Sequence, residues 1–147
     1  METQNFLLLK LAKIMHKVFQ ELKKRFDKLN DEEIKISTEQ LGLLRSICLE
    51  EDDVIQKDMA EIMGKDKSSI LRLINSLEEK DLIRRVVDNK DRRKNYLMVT
   101  KTGHRVMERY MLIVNELMLE IQQGLNKSDK EVFSKVVNHI VIKTGEL

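Results

Sequence analysis

Proline is absent from the chain, glycine occurs five times, and aromatic residues make up 4% of it. Proline and glycine both weaken helix interiors, so their scarcity favours long, uninterrupted helices. The single cysteine excludes an internal disulfide and fits a reducing, cytoplasmic setting. No apolar run approaches the roughly 18 residues of a membrane span, so no membrane partner is expected. The N-terminal METQNFLLLKLAKIMHK has a short apolar core, but lysines fall inside its pattern and a small-residue cleavage site is missing. It is not expected to be a signal peptide. His16, His104 and His139 stand far apart, and neither HxxEH nor CxxC spacing occurs, so a metal site has no support. A Gly-rich phosphate loop, a nucleophile elbow and a paired-carboxylate constellation are also missing. Neither an enzyme nor a bound cofactor is expected.

Charge is what the sequence has in quantity. The 147 residues are 41% hydrophobic and 35% charged, as in one soluble globular domain with a highly charged surface. The net charge is only +2, but between Val54 and Arg105 there are 13 lysines and arginines against 8 acidic residues. From Arg84 to Arg105 the count is 8 against 2. A basic segment in a near-neutral chain is the footprint of an anionic partner, although charge runs also simply keep surfaces soluble. The densest stretch is DNKDRRK, Asp88 to Lys94, with six charged residues in seven positions.

Apolar periodicity supplies the elements. Phe6 to Phe26 reads as a helix, with Leu11, Ile14/Met15, Val18/Phe19 and Leu22 recurring every three or four residues. KLNDEEIK then breaks the pattern. Ser37 and Gln40 form an S-x-x-Q capping box opening a second helix, whose inner face is Leu41, Leu44, Ile47 and Cys48 and which EEDD at 50–53 ends. Gln56 to Met63 reads as a short helix with Met59, Ile62 and Met63 inward, stopped by Gly64. Asp66 is a good N-cap for the next, Lys67 to Lys80, with Ile70, Leu73, Ile74 and Leu77 inward. Two short helices around a glycine turn make a helix-turn-helix. Leu82–Val87 and Tyr96–Val99 read as strands joined by the charged loop, which makes them the wing of a winged helix. Thr100 caps a long helix that Gly124 ends, and a last helix opens at Ser128, with Glu131 completing a second capping box. The expected fold class is mainly α with a small β-hairpin wing. The surplus apolar stripes at both ends suggest a homodimer.

The order of these elements and two motifs carry a family resemblance. MAEIMGKDKSSILRLINSLEEKDLIRR resembles the L-A-x-x-L-G-x-x-x-S-T-V-T-R-x-V-x-x-L-E-x-x-G-L-I-x-R run of the MarR family (multiple antibiotic resistance regulators), dimeric winged-helix DNA-binding proteins of bacteria and archaea. DRRKNYLMVTKTG resembles the family's wing signature, D-x-R-x-x-x-x-x-L-T-x-x-G, with Asp91, Arg93, Thr100 and Gly103 at the motif positions. Asp81 stands where the family usually has glycine, and Val99 where it has leucine. Aspartate tolerates the left-handed conformation better than most residues, so the turn should survive. The resemblance implies a single MarR-like domain over residues 1–147. Within it, 37–100 form the winged helix-turn-helix region, and 5–28 with 101–147 the helical dimerisation region.

The implied function is sequence-specific DNA binding by a cytoplasmic transcriptional regulator. In a helix-turn-helix the start of the second helix enters the major groove. Here that places Lys67, Ser68, Ser69, Leu71 and Arg72, with Asn75 on the same face and less able to reach. Arg72 can fork onto a guanine, the serine hydroxyls can bond base edges or phosphates, and Leu71 can pack on a thymine methyl. At the wing tip Lys90, Arg92, Arg93 and Lys94 can follow the backbone and place an arginine in the minor groove. The resemblance implies that Asp91 and Arg93 structure the wing by pairing. Between Arg92 and Arg93, Arg92 is favoured for the groove. A two-fold dimer implies a pseudo-palindromic operator with half-sites about 10 base pairs apart. The resemblance further implies a repressor released by a small aromatic or anionic effector. Two alternatives stand beside this reading. One is a winged helix used for protein–protein contact without DNA binding. The other is a redox sensor using Cys48, which its apolar setting disfavours.

Overall fold

Capping chemistry sets the helix boundaries. The computed structural model describes residues 6–29, 34–50 and 53–145. Its elements are α1 (Phe6–Leu29), α2 (Thr38–Leu49), β1 (Val54–Ile55), a 3-10 turn (Gln56–Asp58), α3 (Met59–Met63), α4 (Lys67–Glu79), β2 (Ile83–Val87), β3 (Asn95–Val99), α5 (Lys101–Gln122) and α6 (Lys127–Thr144). The capping box of α2 forms as the sequence suggests: Gln40 N–H donates to Ser37 Oγ at 3.1 Å and Ser37 N–H to Gln40 Oε1 at 2.9 Å. Gly64 takes the left-handed conformation at φ 60° and closes α3. The polar break after α1 and the acidic run after α2 fall mainly on residues 30–33 and 51–52, outside the described residues.

The chain divides into two compact units at Val114/Asn115. In the first, Phe26, Leu43, Leu44, Met59, Ile74, Leu77, Leu82 and Ile83 are the most deeply buried side chains. Phe26 of α1 meets Tyr110 of α5 edge-on, with ring centroids 6.0 Å apart. The Arg45 guanidinium lies over the Phe19 ring at 5.6 Å. Gln40 reaches beyond its own cap, donating Nε2 to Ser76 Oγ at 2.6 Å, and so ties the start of α2 to α4. The wing is larger than the expected hairpin. β2 and β3 pair antiparallel with Arg85 opposite Leu97, and β1 adds a third strand by placing Val54 opposite Leu97, in the order β1-β3-β2.

The mounting of the wing explains two motif residues. Asp81 adopts φ 55°, the left-handed turn that the family usually gives to glycine. Its carbonyl accepts the Thr100 hydroxyl at 2.5 Å, and Thr100 Oγ1 accepts Gly103 N–H at 3.0 Å, capping α5. A Cβ on Gly103 would sit 2.1 Å from the Leu82 carbonyl oxygen and 2.7 Å from Val99 Cγ1. The glycine is there to let the start of α5 lie directly against the Leu82 backbone and the Val99 side chain at the base of the wing.

Three expectations are corrected. The short helix is a 3-10 turn followed by only five α-helical residues, and Ile62 faces outward, 46% exposed, because so short a helix has no second inward turn. Helix α6 opens two residues earlier than Ser128. Asn126 is its N-cap, in a reciprocal box with Asp129, so Ser128 and Glu131 lie inside the helix. Gly42 and Leu43 also join the covered side of α2, Leu43 being fully buried.

In the second unit α5 ends near Gly124, at φ 81°, and α6 follows. Helix α6 buries none of its residues: Val132, Phe133, Val136, Val137 and Ile142 are all exposed. The N-terminal part of α1 is similar, with Leu7, Leu11, Ile14, Met15 and Phe19 exposed. Among the described residues no helix is long and apolar enough to cross a membrane.

Candidate nucleic-acid interface

Helix α4 turns Ile70, Ile74 and Leu77 inward, which leaves Lys67, Ser68, Leu71, Arg72 and Asn75 on the exposed side. Its N-cap organises the first turn. Asp66 Oδ1 accepts Ser69 N–H at 2.9 Å, and Asp66 Oδ2 accepts the Ser69 hydroxyl at 2.6 Å. The Ser69 hydroxyl, then its N–H, hold the Asp66 carboxyl below the usual aspartate range. Arg72 Nη2 lies 3.4 Å from Ser69 Oγ. Ser69 has therefore committed its proton to the cap and keeps only acceptor capacity, whereas the Ser68 hydroxyl is exposed. Beside Leu71 runs a groove of about 340 Å³, lined by Gln56, Lys57, Ala60, Lys67, Ile70 and Leu71.

Two aspartates shape the wing tip, each accepting the backbone N–H two residues on. Asp88 Oδ1 accepts Lys90 N–H at 2.8 Å, and Asp91 Oδ1 accepts Arg93 N–H at 3.0 Å. Asp88 Oδ2 also accepts the Tyr96 hydroxyl at 2.9 Å, and the loop closes through Asp88 N–H to the Lys94 carbonyl at 3.0 Å. The Lys90 amide first, then the Tyr96 hydroxyl, pull the Asp88 carboxyl below the usual range, and the same bond raises the Tyr96 phenol. Asp91 holds Arg93 more firmly by its backbone than by its side chain. The guanidinium Nε is 3.6 Å away, and the side chain is 95% exposed. Lys90, Arg92 and Lys94 are exposed and make no ion pair among the described residues.

The residue that joins helix and wing is Arg85, on the inner face of β2. Its Nε donates to Gln56 Oε1 at 2.8 Å, its Nη1 to Glu78 Oε2 and its Nη2 to Asn75 Oδ1. Glu78 Oε1 accepts the Arg85 N–H at 3.0 Å. One guanidinium fork thus ties the 3-10 turn, α4 and the wing into a single rigid surface. The functional reading of the sequence passed over both Arg85 and Asp88. The available signals were an arginine at an inward strand position and a D-x-K step repeating the spacing of Asp91 and Arg93.

Cys48 is half-buried, and burial raises its thiol above the usual value, which disfavours the reactive thiolate. Among the described residues no group of three or more His, Cys, Asp or Glu side chains could hold a metal ion.

Residues 34–94 match the model of the MarR family. Among solved structures, MepR of S. aureus in complex with DNA is 20% identical, with a TM-score of 0.75 over 93% of this chain and 96% of that one. A MarR-family transcriptional regulator from Rhodococcus sp. RHA1 is 19% identical, with a TM-score of 0.74 and 99% of each chain covered. The PcaV transcriptional regulator from Streptomyces coelicolor, in complex with its natural ligand, is 20% identical, with a TM-score of 0.66 and 92% of each chain covered. At these identities the structural likeness speaks for the fold, while the matched segment contains the recognition-helix motif and the charged wing loop. Residues 34–94, which hold the helix-turn-helix and the charged wing loop, thus match the MarR family, and the chain as a whole takes the winged-helix fold of these structures.

Proposed function

We propose that the chain is a sequence-specific DNA-binding transcriptional regulator, acting as a homodimeric repressor of a pseudo-palindromic operator and released by a small aromatic or anionic effector. One observation carries the DNA-binding part. Lys90, Arg92 and Lys94, cations with no ion pair among the described residues, sit on a wing that Arg85 ties to the helix presenting Lys67, Ser68, Leu71 and Arg72. Phosphate contacts from a wing position such a protein, and side chains on the helix then read base edges. A winged helix built for protein contact has no need of such a tip. MepR, solved with DNA, and PcaV, solved with its natural ligand, support this reading by analogy of fold. The exposed apolar side chains of α6 and of the first half of α1 support the dimer, because such stripes need a cover. DNA and a second copy are thus the partners, with Asp91 and Arg93 shaping the tip.

The test is equilibrium binding to the duplex upstream of the protein's own gene across a salt series. Affinity that falls steeply as salt rises, with a footprint of two half-sites about 10 base pairs apart, is expected. Salt-independent binding, or none, would assign the surface to a protein partner, and one asymmetric half-site would argue against the dimer.

A further inference from the structure

We propose that Asn75 reads a base edge as a one-sided hydrogen-bond donor, and that Arg85 is the positioning residue that makes it one-sided. The proposal deepens the DNA-binding reading and rests on it.

Asn75 lies seven residues after Ser68 and three after Arg72, so the three share the exposed face of α4. An asparagine side chain is normally two-faced. On DNA its favoured partner is adenine, where the amide oxygen accepts from N6 and the amide nitrogen donates to N7 at the same time. In this protein one face is taken. The Arg85 Nη2 lies against the Asn75 amide. A guanidinium has only donors, so the atom turned toward it must be Oδ1, which settles the orientation of the amide on chemical grounds. Nδ2 then points to the other side, and among the described residues nothing accepts from it.

Arg85 cannot easily swing away and release the oxygen, because Gln56 and Glu78 hold its other two nitrogens. A cation on the amide oxygen also polarises the group and strengthens the opposite N–H as a donor. What the helix offers at this position is therefore a fixed donor without a matching acceptor beside it. Guanine N7 and O6 and thymine O4 present acceptors that suit it; adenine N7 also accepts, but the neighbouring N6–H2 donor is then left facing a donor, and cytosine offers only a donor. One position in each half-site should then favour guanine or thymine.

The experiment is selection of bound sequences from a randomised duplex pool, followed by affinities for all four bases at each selected position, with the full-length protein, N75A, N75D and R85K. Asn75→Asp keeps an oxygen on Arg85 and removes the donor, so it separates base reading from the structural contact. The wild type should show one position per half-site favouring guanine or thymine. N75A should flatten that position by about fivefold, the low end for a base-edge contact, and N75D, which offers an acceptor in place of the donor, should move its preference toward cytosine while its added negative charge weakens binding to every duplex, with no loss of melting temperature. R85K, which loses the fork that pins the amide, should admit adenine there. If N75D keeps the wild-type base profile, or N75A only lowers the melting temperature, Asn75 merely anchors Arg85 and the proposal is overturned. If the wild type binds no duplex in a salt-dependent way, the DNA-binding reading beneath it falls as well.

Discussion

Helix α4 and the wing tip face the same proposed partner with opposite preparation. In α4, Ser69 is tied to Asp66, Arg72 lies against Ser69 and Asn75 is pinned by Arg85. At the wing tip the aspartates are spent on backbone amides, and Lys90, Arg92 and Lys94 project without partners among the described residues. A side chain already held in place loses little freedom on contact and carries directional information, which suits base reading. A free cation on a flexible stem follows phosphates wherever they lie and carries charge rather than direction. On the proposed DNA-binding function, the difference would give specificity to the helix and general affinity to the wing.

The comparison can be broken most forcefully at Gly103, on which the mounting of the wing depends. Gly103→Ala pushes a methyl into the Leu82 carbonyl and Val99. It should cost about 3 kcal/mol of stability in a urea or thermal unfolding series, the upper range for overpacking. Wild-type stability would show that the α5–wing contact yields freely. Smaller and more selective is Arg72→Ala, which should cost about 1–3 kcal/mol on the selected operator and little on random duplex. Equal losses on both would make Arg72 a backbone contact. Arg92→Ala should weaken both duplexes alike and reduce the slope of log K against log salt by about 0.9, one phosphate's share. An unchanged slope would leave Arg92 away from the backbone.

The smallest effect concerns acid. Asp88 has its carboxyl lowered in the folded wing, chiefly by the Lys90 amide and then by the Tyr96 hydroxyl. A lowered folded value means that the contribution is present above the unfolded value and lost as pH falls through the folded one. Wing order, followed through Tyr96 and Lys90 NMR signals, should stay flat at neutral pH and decline only below about pH 4, the ordinary aspartate range. A change centred near neutrality would point to a different titrating group.

Much of this surface was legible in the sequence because it depends on local chemistry. Gly64, Asp66, Thr100 and the Asp81 turn each act within a few residues of themselves, and capping and left-handed preferences expose them. Arg85 was harder to read, since its partners Gln56, Asn75 and Glu78 come from two other elements. Strand β1 is two residues long and exists only through its pairing with β3, so no periodicity could reveal it. At the start of α6 two capping boxes overlap, and Asn126 with Asp129 prevails over Ser128 with Glu131. Along α6 and α1 the apolar spacing correctly marks the stripes, but spacing alone does not say what covers Val132, Phe133 or Leu11.

The division of labour between helix and wing is tested most directly by salt titrations of R72A and R92A, side by side, on the selected operator and on random duplex. R72A should lower the ratio of operator to random affinity while keeping the wild-type salt slope on random duplex. R92A should keep the ratio while the slope falls by about 0.9 on both. If both variants change the same quantity in the same proportion, helix and wing do not divide the work, and the account is contradicted.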